Sequence, residues 1–241
     1  MRRQAAHWLV LLAAGLVILS NQRYFDLVAF GFTRRGLADN LLTQIGGVSY
    51  LVLRLIGLHG YNIDPALPTL TSFDGVLALQ AGLLMALLAL GIVSLKTRPW
   101  VGFGILWFFL QLAPTNSVVP RLDVANDRQL YLACWGIFIA LAVQITRLGL
   151  PIAVLRPATA VMALAFATSS VVRQLDYVDE VTLWETDVRG APWNARARNN
   201  LGFAYYLAGR EEDARREIET ALFFDPRNAK AQANLRVLNY R

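Results

Sequence analysis

Two uncharged apolar stretches place this chain in a membrane. Ala5–Ser20 and Gly75–Leu95 contain no Asp, Glu, Lys or Arg, and the second alone reaches the ~20 residues that a helix needs to cross a bilayer. Hydrophobic residues make up 56% of the chain and charged residues only 17%, against roughly 25% charged in an average soluble domain. The sequence therefore predicts an integral membrane protein.

Six apolar segments are candidate membrane spans. Backbone amides in hydrocarbon must be hydrogen-bonded within their own segment, so each span is predicted to be a helix. The expected fold class is all-α, with a polytopic membrane domain over residues 1–172 and a short helix-hairpin domain over residues 177–241. The first segment is interpreted as a retained helix rather than a signal peptide, because no small-x-small cleavage site follows it. The predicted spans are Ala5–Ser20, Leu41–Leu58, Gly75–Leu95, Val101–Ala113, Gln129–Thr146 and Ala158–Val172.

The net charge of +6 belongs to the membrane part of the chain. From Arg173 onward, 11 basic and 11 acidic residues cancel, so the surplus records topology and anionic lipid, and no nucleic-acid partner is predicted. With the N-terminus outside, seven Lys and Arg residues fall in inner connections and four in outer ones, with Arg2 and Arg3 as exceptions. This orientation places residues 59–74, 114–128 and the C-terminal region outside the cytoplasm, in a protein of the bacterial inner membrane.

The C-terminal region has the spacing of a tetratricopeptide repeat. Small residues at two fixed positions allow two helices to approach closely, larger residues fill the seam, and a proline follows the second helix. One full repeat, residues 195–228, is flanked by two half-repeats, which is fewer than the ~3 repeats that a free-standing solenoid needs. Its open faces are therefore expected to pack on the membrane domain, a partner or a second copy. The matching residues are Leu201, Gly202, Tyr205, Ala214, Ile218, Ala221 and Pro226.

The polar stretch between the fourth and fifth predicted spans resembles a known family. "LAPTNS" (Leu112–Ser117) and "NDRQLYLA" (Asn126–Ala133) stand where members have a Leu-Pro-x-Ser-Asn-like turn and then Ala-Glu-Arg-x-Leu-Tyr-Leu-Pro. On these motifs, residues 35 to 230 resemble the C-terminal half of the transmembrane-and-tetratricopeptide-repeat protein O-mannosyltransferases, in the glycosyltransferase C superfamily. Here Asp127 replaces the family's glutamate and Ala133 its proline.

This resemblance implies sugar transfer from a polyprenyl-phosphate donor to a Ser or Thr hydroxyl of a protein. In that superfamily the catalytic acidic residues lie in the first extracytoplasmic loop, in an N-terminal half without a counterpart in this sequence. The first predicted span is followed by "NQRYFD", whose lone acidic residue, Asp26, the predicted topology places inside. Catalytic residues are therefore left unassigned, and a second membrane subunit that carries the catalytic half is a candidate partner.

Three arginines are candidates to bind the lipid-linked phosphate, because a guanidinium donates two parallel hydrogen bonds to an anion of this shape. Arg128 begins the fifth predicted span, Arg121 precedes it in the loop, and Arg54 lies near the outer end of the second span. Asp127 is interpreted as a partner that orients Arg128, and Tyr131 as a hydrogen-bonding group for the lipid head. The alternatives are snorkelling for Arg54, a solvated loop charge for Arg121, and helix-end or interfacial packing for the other residues.

The remaining polar residues give weaker indications. Asp64, before Pro65 in an outer loop, is a candidate for acceptor or metal binding, or a turn-forming residue with neither role. His7 and His59 are isolated, so no histidine metal site is predicted. The single Cys134 excludes an internal disulfide. No bound cofactor is predicted.

Two functions stay open at this level. The first is a partial, glycosyltransferase-like membrane protein that acts in protein O-glycosylation outside the cytoplasm and contacts membrane lipid. The second is a membrane-anchored adaptor whose tetratricopeptide region recruits an extracytoplasmic protein.

Overall fold

A computed structural model describes residues 10, 12, 13, 15–17, 20–57, 62–121 and 123–239. Over these residues the chain contains helices and no strand, which confirms the predicted all-helical class. A short 3₁₀ helix, Asp127–Gln129, leads directly into the fifth α-helix. The α-helices described in full are α1 Gln22–Arg34, α2 Leu37–Leu55, α3 Gly75–Thr97, α4 Pro99–Leu112, α5 Leu130–Arg147, α6 Ile152–Leu175, α7 Glu180–Gly190, α8 Ala195–Leu207, α9 Glu211–Phe224 and α10 Ala229–Asn239.

Three helices of the described part are long and apolar enough to cross a membrane, against the six spans predicted. They are α3, the continuous helical stretch Asp127–Arg147, and α6. Helix α4 is apolar but has 14 residues, which gives a rise of about 21 Å against a hydrocarbon thickness of about 30 Å. The predicted span Ala5–Ser20 lies mostly outside the described residues.

Helix α2 covers most of the predicted span Leu41–Leu58, but it is not among the three helices of the described part that are long and apolar enough to cross a membrane. Its buried face is polar toward the N-terminus, where Asn40, Thr43 and Gln44 are almost fully buried, and apolar toward the C-terminus, where Val48 and Leu51 enter the core. Buried polar groups need partners. Leu70 supplies one for Thr43, and the segment 114–121 supplies others for Asn40 and Gln44, while the Ser49 hydroxyl is buried without a hydrogen bond. Helix α2 therefore packs against protein along this face.

Glycines allow α3, α4 and α5 to pack closely side by side. A Cβ atom on Gly104 of α4 would lie 2.5 Å from the carbonyl oxygen of Gly136 in α5, and one on Gly102 would lie 2.7 Å from that of Gly91 in α3. A Cβ atom cannot lie this close to a carbonyl oxygen, so each of these two positions requires glycine. Helix α6, in contrast, buries none of its residues.

Helix α1 falls in a stretch that the sequence analysis treats as a connection. The Asn21 side chain caps its N-terminus by accepting a hydrogen bond from the backbone N–H of Arg23. Near its other end, Gly31 packs against the carbonyl oxygen of Pro120 so closely that a Cβ atom would clash. This contact fixes α1 beside the segment 114–121.

The four C-terminal helices share one small core. Gly202 of α8 lies where a Cβ atom would be 2.6 Å from the Ile218 side chain of α9, as the predicted spacing requires. The helix bounds of α8 and α9 fall within the predicted repeat 195–228, and Gly209 between them adopts a left-handed φ of 76°. The assignment of these helices to the tetratricopeptide class stays a prediction.

Candidate functional site

The polar segment 114–121 is held against α2 by the buried side chain of Asn116. Its amide donates hydrogen bonds to the Gln44 side chain at 3.0 Å and to the carbonyl oxygen of Val124 at 2.9 Å. The second of these bonds folds the segment back on itself. Asn40 adds two more, from its amide to the carbonyl oxygens of Ser117 and Val118. These bonds define where the chain enters the 3₁₀ helix that carries Asp127 and Arg128.

Arg54 and Asp127 form a bidentate ion pair between α2 and the 3₁₀ helix. Nε and Nη2 of Arg54 donate to the two carboxylate oxygens at 2.9 and 3.0 Å, and the Arg54 side chain is only 7% exposed. Such fork-shaped pairs are the strong class of charged hydrogen bond. Asp127 is thus the ion-pair partner of Arg54, whereas the sequence motif suggests it as a partner of Arg128. The structure also gives the Arg54 guanidinium a carboxylate as its contact.

Arg128 points into solvent at the head of an apolar groove. Its side chain is 83% exposed, and its nearest anion is Asp123, with Nη2 and Oδ2 3.7 Å apart, beyond hydrogen-bonding distance. The groove is shallow and open, and all of its lining residues come from the single stretch 127–138. Tyr131 lines it, and its predicted contact with a lipid head stays a prediction. The lining residues are Asp127, Arg128, Leu130, Tyr131, Cys134, Trp135 and Phe138.

The aromatic residues of this groove are exposed on the surface of a helix long enough to span a membrane. Tyr131, Trp135 and Phe138 are 75%, 58% and 54% exposed, and they recur at intervals of three or four residues, which places them on one face of α5. A cation thus stands at one end of an apolar strip. This is a surface complementary to a molecule with an anionic head and a hydrocarbon tail.

Asp64 and Arg196 join the outer segment 62–74 to the C-terminal helices. Arg196 Nε lies 2.5 Å from Asp64 Oδ2, and its Nη2 lies 2.6 Å from Asp123 Oδ1. Asn194 donates a further hydrogen bond to the Asp64 carbonyl oxygen at 2.8 Å. Burial acts to raise the pKa of the Asp64 carboxyl, but the hydrogen bonds from Arg196 and Asn194 outweigh it and lower that pKa. Asp64 is therefore a docking residue in this structure.

Asp187 of α7 provides a second, deeper contact with the same segment. Its Oδ1 accepts hydrogen bonds from the backbone N–H groups of Ile63 at 2.7 Å and Asp64 at 3.1 Å. The residue is 1% exposed, and its other oxygen is buried without a hydrogen bond. Burial raises the pKa of the Asp187 carboxyl despite these two bonds. Together, Asp187 and Arg196 fix α7 and α8 to the segments 62–64 and 123–125.

Two other predicted residues lie apart from the groove. Arg121 is exposed, and its backbone carbonyl accepts a hydrogen bond from the Arg35 side chain at 3.0 Å. It does not line the groove beside Arg128. Asp26 is on α1, where its carboxylate accepts a hydrogen bond from Gln22 at 3.2 Å. His7 and His59 lie outside the described residues.

A second cleft of about 310 Å³ lies between α2 and the start of α3. Its lining is mainly apolar, and its one acidic residue, Asp74, is engaged in capping α3 through the backbone N–H of Leu77. Across the described residues, no group of three His, Cys, Asp or Glu side chains is arranged to hold a metal ion. The described residues of this cleft therefore give no indication of a catalytic or metal-binding group.

Sequence reasoning misses Asp123, Asp187 and Arg196. Each is an unremarkable charge in the sequence, and its importance arises from a partner far away along the chain. Asp187 and Arg196 lie within "LWETDVRGAPWNARARNNLG", the stretch that leads into the predicted repeat. A charge on each side of a turn that joins two helices was the available signal.

A comparison of this chain with protein-family models, with curated proteins and with solved structures finds no match. The family resemblance of the sequence motifs therefore stays a prediction.

Proposed function

We propose that this chain is a glycosyltransferase-like membrane protein that binds a polyprenyl-phosphate-linked sugar at the groove beside Arg128, outside the cytoplasm. The observation that carries the proposal is the exposed guanidinium of Arg128 at the head of an apolar groove. A phosphate requires an accessible cation, and Arg128, 83% exposed and only loosely paired with Asp123 at 3.7 Å, is the member of the predicted trio that lines the groove. A polyprenyl chain requires an apolar surface, which Tyr131, Trp135 and Phe138 offer.

In this proposal Arg54 and Asp127 have a supporting role. Their ion pair holds the 3₁₀ helix against α2 and so sets the position from which Arg128 reaches outward. The catalytic carboxylate is proposed to come from a second membrane subunit. Helix α6, none of whose residues is buried, is the surface of the membrane domain that this subunit is proposed to cover. The C-terminal helices are proposed to be tetratricopeptide-like and to face the same side as the groove.

Binding measurements test the proposal. The full chain is placed in nanodiscs of phosphatidylcholine, and a fluorescent polyprenyl phosphate is titrated against the wild type and Arg128→Gln. Loss of one bidentate charged contact predicts binding weaker by about tenfold or more. Arg147→Gln, at the opposite end of α5, is the matched control and should bind as the wild type does. The corresponding polyprenyl alcohol should bind weakly and equally to all three proteins.

Equal affinity of the wild type and Arg128→Gln for the phosphate would refute this assignment. Equal weakening by Arg128→Gln and Arg147→Gln would also refute it, because the effect would then report overall charge rather than a site.

The adaptor function is a second candidate, favoured by a small apolar hollow on the C-terminal helices. It lies between α8 and α10 and is lined by Phe203, Tyr206 and Val237 together with the amide of Asn234. Phe203 and Val237 are 43% and 51% exposed. If this surface recruits a protein, Phe203→Ser should abolish capture of that protein and leave phosphate binding unchanged.

A further inference from the structure

Asp123 lies between two arginines that belong to different parts of the protein. Its Oδ1 is 2.6 Å from Nη2 of Arg196, on the C-terminal helix α8, and its Oδ2 is 3.7 Å from Nη2 of Arg128, at the head of the groove. The Asp123 side chain is 26% exposed, so it is held within the junction, whereas that of Arg128 is 83% exposed. One carboxylate thus faces two cations at unequal distances.

The two contacts draw on the same negative charge. Arg196 lies within ion-pair distance of Asp123, whose Oδ1 makes no hydrogen bond, and is itself hydrogen-bonded to Asp64, which keeps a positive charge close to the Asp123 carboxylate on the side of α8. Arg128 is left at a distance where it feels attraction without forming a hydrogen bond. If Arg196 moves away, its charge no longer competes with Arg128 for the carboxylate. Asp123 is then able to close on Arg128.

We propose that Asp123 is a positioning residue for Arg128, and that the docked C-terminal helices, through Arg196, keep Arg128 available for phosphate. The inference rests on the proposed function and adds its regulation. In the docked state the Asp123 carboxylate is shared and Arg128 is open to a ligand. In the undocked state Asp123 pairs with Arg128 and competes with the phosphate. A protein that binds the C-terminal helices and pulls α8 from the junction therefore lowers the affinity of the groove.

The test measures the affinity of the full chain for polyprenyl phosphate in phosphatidylcholine nanodiscs. Asp123→Asn removes the competing charge and should tighten binding about two- to fivefold, the scale expected for a partly exposed ion pair. Arg196→Gln releases the carboxylate to Arg128 and should weaken binding by a similar factor. The double variant Asp123→Asn/Arg196→Gln should bind as Asp123→Asn does, because the second change then has no carboxylate to release.

Asp123→Glu and Arg128→Gln complete the set. Asp123→Glu keeps the charge and should bind nearly as the wild type does, which a loss of folding would not reproduce. Circular dichroism and size-exclusion chromatography of each variant report the helical content and the assembly directly.

Two results would overturn the inference. One is unchanged or weaker binding by Asp123→Asn, which would make the carboxylate neutral or helpful to the site. The other is weakening by Arg196→Gln of the same size with and without Asp123, which would trace the effect to lost docking rather than to the shared charge. In both cases a loss of binding in Arg128→Gln leaves the proposed function standing. If Arg128→Gln binds as the wild type does, the proposed function itself fails.

Discussion

Arg54 of α2 donates two parallel hydrogen bonds of 2.9 and 3.0 Å to Asp127, which lies 73 positions later in the sequence. The pair joins the C-terminal end of α2 to the 3₁₀ helix before α5, and the next residue along the chain is Arg128. The structure thus separates two neighbouring charges: Asp127 is paired with Arg54 and its side chain is 34% exposed, whereas that of Arg128 is 83% exposed. This separation underlies the proposed phosphate site.

Removing the charge of Asp127 should destabilise the protein. Asp127→Asn takes the carboxylate from a guanidinium whose side chain is 7% exposed, and a loss of about 1–3 kcal/mol in the free energy of unfolding is expected. Thermal unfolding in detergent, followed by circular dichroism, gives the measurement. The control is Asp213→Asn, which breaks pairs with Arg210 and Arg216 on the surface of α9. Exposed pairs contribute little, so comparable destabilisation by the control would contradict the account.

The two carboxyl groups at the junction should respond to pH in opposite ways. The pKa of Asp187 is raised by burial, so its contribution to stability is full below the unfolded pKa of about 3.9 and is lost as the pH rises through the higher folded value. The pKa of Asp64 is lowered in the folded state despite its burial, so its contribution is present above about pH 3.9 and is lost on acidification.

Asp187→Asn tests the first of these signs. The amide imitates the protonated acid and retains an oxygen that accepts from the N–H groups of Ile63 and Asp64. The variant should therefore gain stability relative to the wild type as the pH is raised from about 4 to about 7. Chemical unfolding of both proteins across that range supplies the difference in free energy. A difference that stays constant with pH, or that runs the other way, would show that burial does not control this carboxyl group.

Helix packing in the membrane domain should depend on Gly104 but not on Gly82. A Cβ atom at Gly104 would meet the Gly136 carbonyl oxygen at 2.5 Å, whereas one at Gly82 of α3 would meet nothing within 4 Å. Gly104→Ala should lower the free energy of unfolding by about 1–3 kcal/mol because α4 and α5 must separate. Gly82→Ala should be neutral or slightly stabilising, since Ala favours helix. Equal melting temperatures of the two variants in detergent would argue against the close crossing.

The orientation predicted from the charges also has a direct test. In a Cys134→Ser background, Lys230→Cys on α10 and Lys96→Cys at the far end of α3 each introduce a single exposed thiol. A maleimide that does not cross membranes should label position 230 in intact cells from which any outer barrier has been removed, and position 96 only after permeabilisation. The reverse labelling pattern would place the C-terminal helices in the cytoplasm and remove the proposed donor from their side.

Local patterns in the sequence predict where the helices lie better than they predict whether a helix packs against lipid or against protein. The uncharged run Gly75–Leu95 predicts α3 to within two residues at its end, because apolar composition over that length has one stable outcome in a bilayer. Helix α2 shows the limit. Its apolar residues indicate a span, but the Asn40 amide donates to the Ser117 carbonyl oxygen and the Gln44 side chain accepts from Asn116, and no local pattern reveals partners more than 70 positions away.

The candidate site likewise has a part that the sequence predicts and a part that it does not. Arg128 and Tyr131 follow from a motif that is contiguous in the sequence, and the structure places both along one groove. The ion pair of Arg54 with Asp127 and the bridge from Arg196 to Asp123 depend on tertiary folding. Charges of both signs are common in loops, and the sequence does not state which of them meet.

Photo-crosslinking of a bound donor lipid decides whether the groove beside Arg128 is the binding site. A polyprenyl phosphate that carries a diazirine near its head is bound to the full chain in phosphatidylcholine nanodiscs, irradiated, and located by mass spectrometry of the peptides. The account predicts crosslinks concentrated between Arg128 and Phe138, reduced in Arg128→Gln and absent with the corresponding alcohol. Crosslinks spread over α3 and α6, or an equal yield in Arg128→Gln, would contradict it.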